Sequence, residues 1–296
     1  MIREHRREEQ RLFADFDRVE VALPGATIHA RIGGRGDPLL LLHGYPQTHA
    51  MWHAIANDLA RDYRVILADL RGYGDSLCHD GDFTFRAMAR DQVALMGHLG
   101  HPRFKVVAHD RGARTAHRMV LDHPDAVRSV ALLDILPTLD VWRTMDAWLA
   151  QRYYHWTFLA QPGGLPQRLI GADPVFFLRS VLTGLAGSAD GFDPAALAEY
   201  ERAATKPGVV DAWCGDYRAA ATTDLDHDRA DLGWTSDIPC LILWGGRGVV
   251  AHHVDPLQAW RAWFPKARGQ AIDASHFLVE ERPAEVLAAL ASHLRD

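Results

Sequence analysis

The stretch VVAHDRGAR, residues 106–114, decides the fold. An apolar run ends at His109, and the frame Ala108-His109-Asp110-Arg111-Gly112 follows with a helical pattern behind it. A strand that turns sharply into a helix exposes the central residue of such a frame, beside free amides and the positive end of the helix dipole. Serine is the common occupant; here it is Asp110, with Arg111 and Arg114 close behind. A carboxylate at that turn is stabilised as an anion and can serve as a covalent nucleophile. In isolation, Asp110 and Arg114 would read as an i,i+4 ion pair contributing about 0.2–0.5 kcal/mol. The strand before them and the helix after them favour the nucleophile.

Working outward, four more apolar runs end in turns: PLLLLHGYP (38–46), YRVILADLRGYGDS (63–76), VRSVALLDILP (127–137) and PCLILWGGRG (239–248). Continuous runs of this length predict strands buried on both faces, as in a parallel sheet. Helical patterns lie between them, DQVALMGHLG (91–100) closing on Gly100 and ARTAHRMVLDHP (113–124) ending before Pro124. The alternation predicts an α/β fold with a mostly parallel, doubly wound sheet. Ligand sites in such sheets lie at the carboxyl ends of the strands, which points to the loops opening at His43, Asp69, Asp110, Asp134 and Gly245. From Leu136 to Leu232 the alternation lapses into a stretch rich in Trp, Tyr and Gly-Pro breaks. It reads as an inserted helical cap, giving the division 1–136 for the first part of the core, 137–231 for the cap and 232–296 for the second part.

Composition narrows the function. The 296 residues are 48% hydrophobic and 24% charged, enough for a sizeable buried core. A net charge of −6 argues against nucleic-acid or anionic-membrane partners and leaves a small molecule. Three cysteines with no CxxC spacing suggest a reduced, cytoplasmic setting. Among the 17 histidines, the close pair His252-His253 lacks the HxxxH spacing of two ligands on one helix face, and neither metal nor other cofactor is expected. The opening MIREHRREEQRLF has no apolar core of a secretory signal, and no run reaches the ~20 apolar residues of a membrane span.

An Asp ester needs a base to hydrolyse it. AIDASHFLVEERP (271–283) places His276 in a loop between a short strand-like run and a helix, in the order nucleophile, acid, histidine. The acid often follows the strand LILWGG, but Gly248 occupies that position. Asp134, directly after Leu132-Leu133, is the alternative, and Asp255 a weaker one. Asp134 would orient His276 and stabilise its charged form.

With these residues in place, the chain resembles the fluoroacetate (haloacetate) dehalogenases of the α/β-hydrolase fold. The similar segments are LLHGYPQTHAMWH (41–53), AHDRGAR (108–114), LLDILPT (132–138), YYHWTFLAQP (153–162), CGDYRAAA (214–221), DLDHD (224–228) and SHFLVEE (275–281). The resemblance implies hydrolysis of short 2-haloacids through an ester on Asp110, with His276 as base, Asp134 as its acid and no cofactor. It implies that Arg111 and Arg114 hold the substrate carboxylate, a role that suits the guanidinium fork. His155, Trp156 and Tyr217 would hold the halide, and the backbone N–H groups of Tyr45 and Arg111 would form the oxyanion hole. A homodimer is implied too. Trp142, Trp148 and Trp213 read as cap packing. The alternative is an epoxide hydrolase, which also uses Asp but commonly has Trp after it and tyrosines in the cap. Tyr153, Tyr154 and Tyr217 fit that alternative and Arg111 does not. A non-catalytic ligand-binding member of the fold would not need nucleophile, acid and base together.

Overall fold

The computed structural model describes residues 11–188 and 190–295. Most of the leading segment examined for a signal, residues 1–10, lies outside the described residues. Nine strands form one sheet: β1 (Asp17–Leu23), β2 (Ala26–Gly33), β3 (Asp37–Leu42), β4 (Tyr63–Ala68), β5 (Leu77–Cys78), β6 (Phe104–His109), β7 (Val127–Leu133), β8 (Cys240–Gly245) and β9 (Arg268–Ile272). The order is β1-β2-β4-β3-β6-β7-β8-β9, with β5 beside β2. From β4 onward every pairing along that order is parallel, while β2 runs antiparallel to β1, β4 and β5.

The five apolar runs are β3, β4, β6, β7 and β8, and β6 is buried along its whole length. The other strands carried no such signal. β1 has exposed polar residues, β2 buries His29 and Arg31 among its apolar residues, and β9 is an exposed edge.

A short 3-10 turn (His49–Trp52) leads into α1 (His53–Leu59). The core helices α2 (Phe85–His98) and α3 (Asp110–Asp122) start earlier than the pattern suggested. Thr84 caps α2 by accepting from the Ala87 amide, and α3 begins at the nucleophile candidate itself. Between β7 and β8 the described residues hold only helices: α4 (Thr138–Arg143), α5 (Ala147–Arg152), α6 (Tyr154–Leu159), α7 (Leu165–Ala172), α8 (Pro174–Ala186), α9 (Pro194–Ala204), α10 (Val209–Ala220) and α11 (Thr223–Ala230). After β8 come α12 (Val249–His253) and α13 (Pro256–Arg261), and after β9 come α14 (Leu278–Glu281) and α15 (Pro283–Arg295). No single helix among the described residues is long and apolar enough to cross a membrane.

Candidate active site

The loops after β3, β6, β7, β8 and β9 converge. Asp110 has φ 46° and Asp134 φ 50°, the only non-glycine residues with positive φ among those described. That backbone region costs of order 1–3 kcal/mol for a side-chain-bearing residue and clusters at functional sites. The strained turn lets α3 leave β6 at a sharp angle with Asp110 at the apex. Two glycines permit the fit. A Cβ on Gly112 would lie 2.4 Å from the His43 carbonyl oxygen, and one on Gly44 would lie 2.4 Å from the Asp110 Cβ. Either substitution would push the nucleophile turn away from the loop after β3.

Asp110 Oδ1 accepts from the Tyr45 amide at 2.8 Å, and Oδ2 lies 3.9 Å from His276 Nε2. His276 Nδ1 lies 2.6 Å from Asp134 Oδ2, and the Gly245 amide donates to Asp134 Oδ1 at 2.8 Å. The structure thus brings Asp110, His276 and Asp134 together, an order of contacts that a nucleophile, base and acid would require. Asp255 is instead spent capping α13 through the amides of Leu257 and Gln258.

The electrostatics follow from this arrangement. Burial alone would raise the Asp110 carboxyl, but His276, His109 and the two arginines outweigh it and bring it down to about 2. For His276, burial opposes the charge, but the bond and charge of Asp134 with the charge of Asp110 raise its pKa above the ordinary value. Burial raises Asp134 despite its bonds to His276 and Gly245. The backbone of His276 is fixed by His109, whose Nε2 meets the His276 carbonyl at 2.9 Å, and by Glu281, which accepts from the Ser275 amide at 3.1 Å. Sequence reasoning assigned neither residue a role, although both fall within quoted segments.

A cavity of about 10 Å³ sits over Asp110, lined by Tyr45, Arg114, Tyr153, His155, Trp156, Leu185, Tyr217 and His276. That is about the space one water-sized sphere needs. His155, Trp156 and Tyr217 come from α6 and α10, so the inserted helices close over the strand ends. Their side-chain polar atoms make no hydrogen bond among the described residues. Burial, the largest cause, brings His155 down to about 3, so the ring is neutral near pH 7 and offers one N–H. Trp213 is buried in the core and Trp142 and Trp148 pack against it, as expected; Trp148 also stacks on His253 and has Arg152 over its ring.

The two arginines differ. Arg111 is fully buried and clamps Asp216: Nε to Oδ2 at 2.8 Å, and Nη2 to Oδ1 and to the Asp216 carbonyl oxygen. Tyr73 also donates to Asp216 Oδ2, at 2.7 Å. Arg111 lies over the Tyr217 ring at 4.2 Å, and only its Nη1 has no partner. Arg114 has no carboxylate within ion-pair distance among the described residues, so the i,i+4 pair with Asp110 does not form. Its Nη1 donates to the Leu136 carbonyl and to Thr138 Oγ1, both at 2.9 Å, and its Nε is unpartnered. Burial, then Arg111, brings the Arg114 guanidinium down to about 10. Asp216 carried no signal that the sequence reading used, although it precedes Tyr217.

The described residues hold one group with ligand atoms within 4.8 Å of one another, His29, His49 and Asp69. Asp69 Oδ1 there already accepts from the His49 amide and faces His49 Nδ1 at 2.9 Å, and Oδ2 accepts from Asp75. These bonds leave the carboxylate committed to the loop after β4.

Residues 37–283 match the family model described as the α/β hydrolase fold, and the chain belongs to that family. Within it, the chain is 42% identical to a fluoroacetate dehalogenase from Burkholderia sp, over 96% of both chains. It is 33% identical to a soluble epoxide hydrolase from Corynebacterium sp. (strain C12), over 90% of this chain and 93% of that one. A solved α/β hydrolase from Nostoc sp PCC 7120, so named provisionally, shares 47% identity with a TM-score of 0.92, covering 95% of this chain and 99% of that one.

Proposed function

We propose that the protein hydrolyses the carbon–halogen bond of short 2-haloacids, converting haloacetate and water to glycolate and halide. The observation that carries the reading is Arg114: a buried guanidinium without an acidic partner, in the wall of the cavity that holds the Asp110 carboxylate. An anionic substrate completes its pairing, and the guanidinium offsets the repulsion between the substrate and Asp110 carboxylates. The free Nη1 of Arg111 is the second donor for that carboxylate. Asp110 Oδ2 attacks the carbon bearing the halogen, and the halide leaves toward His155, Trp156 and Tyr217. Three uncommitted donors there stabilise charge only as it develops. Oδ1 stays on the Tyr45 amide and becomes the ester carbonyl. Water activated by His276 attacks that carbonyl, and the Tyr45 amide, with that of Arg111, stabilises the oxyanion.

In this reading residues 1–136 and 232–296 form the core and 137–231 the cap. The enzyme acts in the cytoplasm as a homodimer, without cofactor. Fluoride and chloride release from fluoroacetate and chloroacetate, beside styrene oxide in the same assay, tests the reading. The epoxide alternative draws support from the hydroxyl of Tyr153 in the cavity wall. Turnover of styrene oxide with no halide release would replace the present reading.

Two outcomes follow from the site. Trp156→Phe removes one donor to the departing halide and should lower turnover by ~10²-fold or more. The loss should be larger for fluoroacetate than for bromoacetate, because fluoride depends most on donated hydrogen bonds; equal losses would take Trp156 out of the halide site. The second concerns pH. His276 must be neutral to act as base, and its pKa is raised partly by the Asp110 charge. Ester formation removes that charge, so the imidazole becomes neutral more readily when its base role begins. In single-turnover experiments ester hydrolysis should rise with pH through the His276 titration. Ester formation should stay flat over the same range, because Asp110 is ionised down to about 2.

A further inference from the structure

Away from the cavity, three side chains from three elements meet at one point. Tyr200 on α9 donates to Glu280 Oε1 at 2.7 Å. Gln47 Nε2 donates to Glu280 Oε2 at 2.7 Å and to the Tyr200 hydroxyl at 3.3 Å. Gln47 closes the turn that presents the Tyr45 amide, its own amide donating to the Gly44 carbonyl at 2.9 Å. Glu280 lies four residues beyond His276, next to the Glu281 that fixes the Ser275 amide. Tyr200 belongs to the inserted helices. Tyr200 and Gln47 are fully buried, and none of the three lines the cavity.

We propose that Gln47, Tyr200 and Glu280 form a latch that seats the inserted helices on the two loops carrying the Tyr45 amide and His276, making all three positioning residues of the reaction. The inference rests on the roles proposed above for Tyr45 and His276.

Each Glu280 oxygen accepts one hydrogen bond, from Tyr200 and from Gln47. The surroundings nevertheless favour the neutral acid. Burial, then Asp193 and Glu281, outweigh the bonds from Tyr200 and Gln47 and push the carboxyl up to about 8. Asp193, the cap of α9, and Glu281 on its own helix are the charged groups that act on it, and the elements packed around it also carry Glu199 on α9, His49 and His53 after β3, and Glu285 on α15. Below about 8 the neutral acid bridges the helices to both loops; above it an ionised Glu280 meets Asp193 and Glu281 and the seat loosens.

The test is hydrogen–deuterium exchange on the full chain on either side of pH 8, corrected for intrinsic rates, with steady-state kinetics on chloroacetate. In the wild type, peptides covering residues 44–49, 194–204 and 275–281 should gain exchange together as pH passes about 8. Tyr200→Phe, which removes one hydroxyl, should show that raised exchange at both pH values and lose about tenfold in kcat. Glu280→Gln reproduces the neutral acid, so it should keep the wild-type kcat at neutral pH and lose the alkaline rise in exchange. Extra exchange confined to 194–204 in Tyr200→Phe, or an undiminished alkaline rise in Glu280→Gln, would overturn the latch. Coupled exchange in a chain that does not turn over haloacetate would sink the reaction and keep the latch; normal turnover with uncoupled exchange would do the reverse.

Discussion

His276→Asn is expected to accumulate a glycolyl ester on Asp110 after a single turnover of chloroacetate. The geometry separates the two halves of the reaction. Displacement needs only the Asp110 carboxylate, its Oδ1 held by the Tyr45 amide, and donors for the halide. The Tyr45 amide and the halide donors do not depend on the imidazole, and without it His109 and the two arginines still favour the ionised Asp110. Hydrolysis needs a base near the ester, and His276 Nε2, 3.9 Å from Oδ2, is the only histidine nitrogen paired with Asp110 among the described residues. Asparagine preserves polarity and approximate size but cannot take a proton. Steady-state turnover should therefore fall by roughly 10⁴-fold or more, as when other triad histidines are removed. Halide should appear in a burst of one equivalent per chain. Intact mass should rise by one glycolyl group, and digestion should place it on Asp110. Continued slow halide release without an adduct would point to direct attack by water and remove Asp110 as nucleophile.

That prediction was largely readable from the sequence because the groups concerned sit where strands end. Asp110 and His276 follow recognisable turns, and Asp134 became readable once Gly248 left the later position vacant. The structure brings the three side chains together, with 3.9 Å from Asp110 to His276 and 2.6 Å from His276 to Asp134. The five buried strands were equally legible as continuous apolar runs. β1 and β2 were not, because exposure or buried polar residues break their patterns, and of β9 only the short run at its end was read. Long-range polar partners were the least legible. Arg111 and Asp216 are separated by 105 positions, and Tyr200 and Glu280 by 80. No periodicity marks such pairs, since each is fixed by where two helices cross rather than by local spacing.

Asp216 changes what should be expected of the arginines. On sequence grounds, Arg111→Leu and Arg114→Leu would each cut activity far more than stability. Only Arg114 is placed for that outcome. Its guanidinium bonds one carbonyl and one hydroxyl, so its loss leaves no buried ion unpaired. Arg114→Leu should lower kcat/KM for chloroacetate by ~10²-fold or more, the effect of removing one partner of a buried charge pair of about 3 kcal/mol. Its thermal stability should stay close to wild type. Arg111→Leu instead strands Asp216, a fully buried carboxylate left with only the Tyr73 hydroxyl. Breaking a buried pair by removing one partner costs about 3–5 kcal/mol. Arg111→Leu should therefore be inactive and strongly destabilised in thermal unfolding. Adding Asp216→Asn removes the stranded charge and keeps an acceptor for Tyr73, so the double variant should recover most of that stability. It should not recover activity, because the donor at Arg111 Nη1 is still missing. Recovery of both would make Arg111 a purely structural partner of Asp216 and leave Arg114 to hold the substrate carboxylate alone.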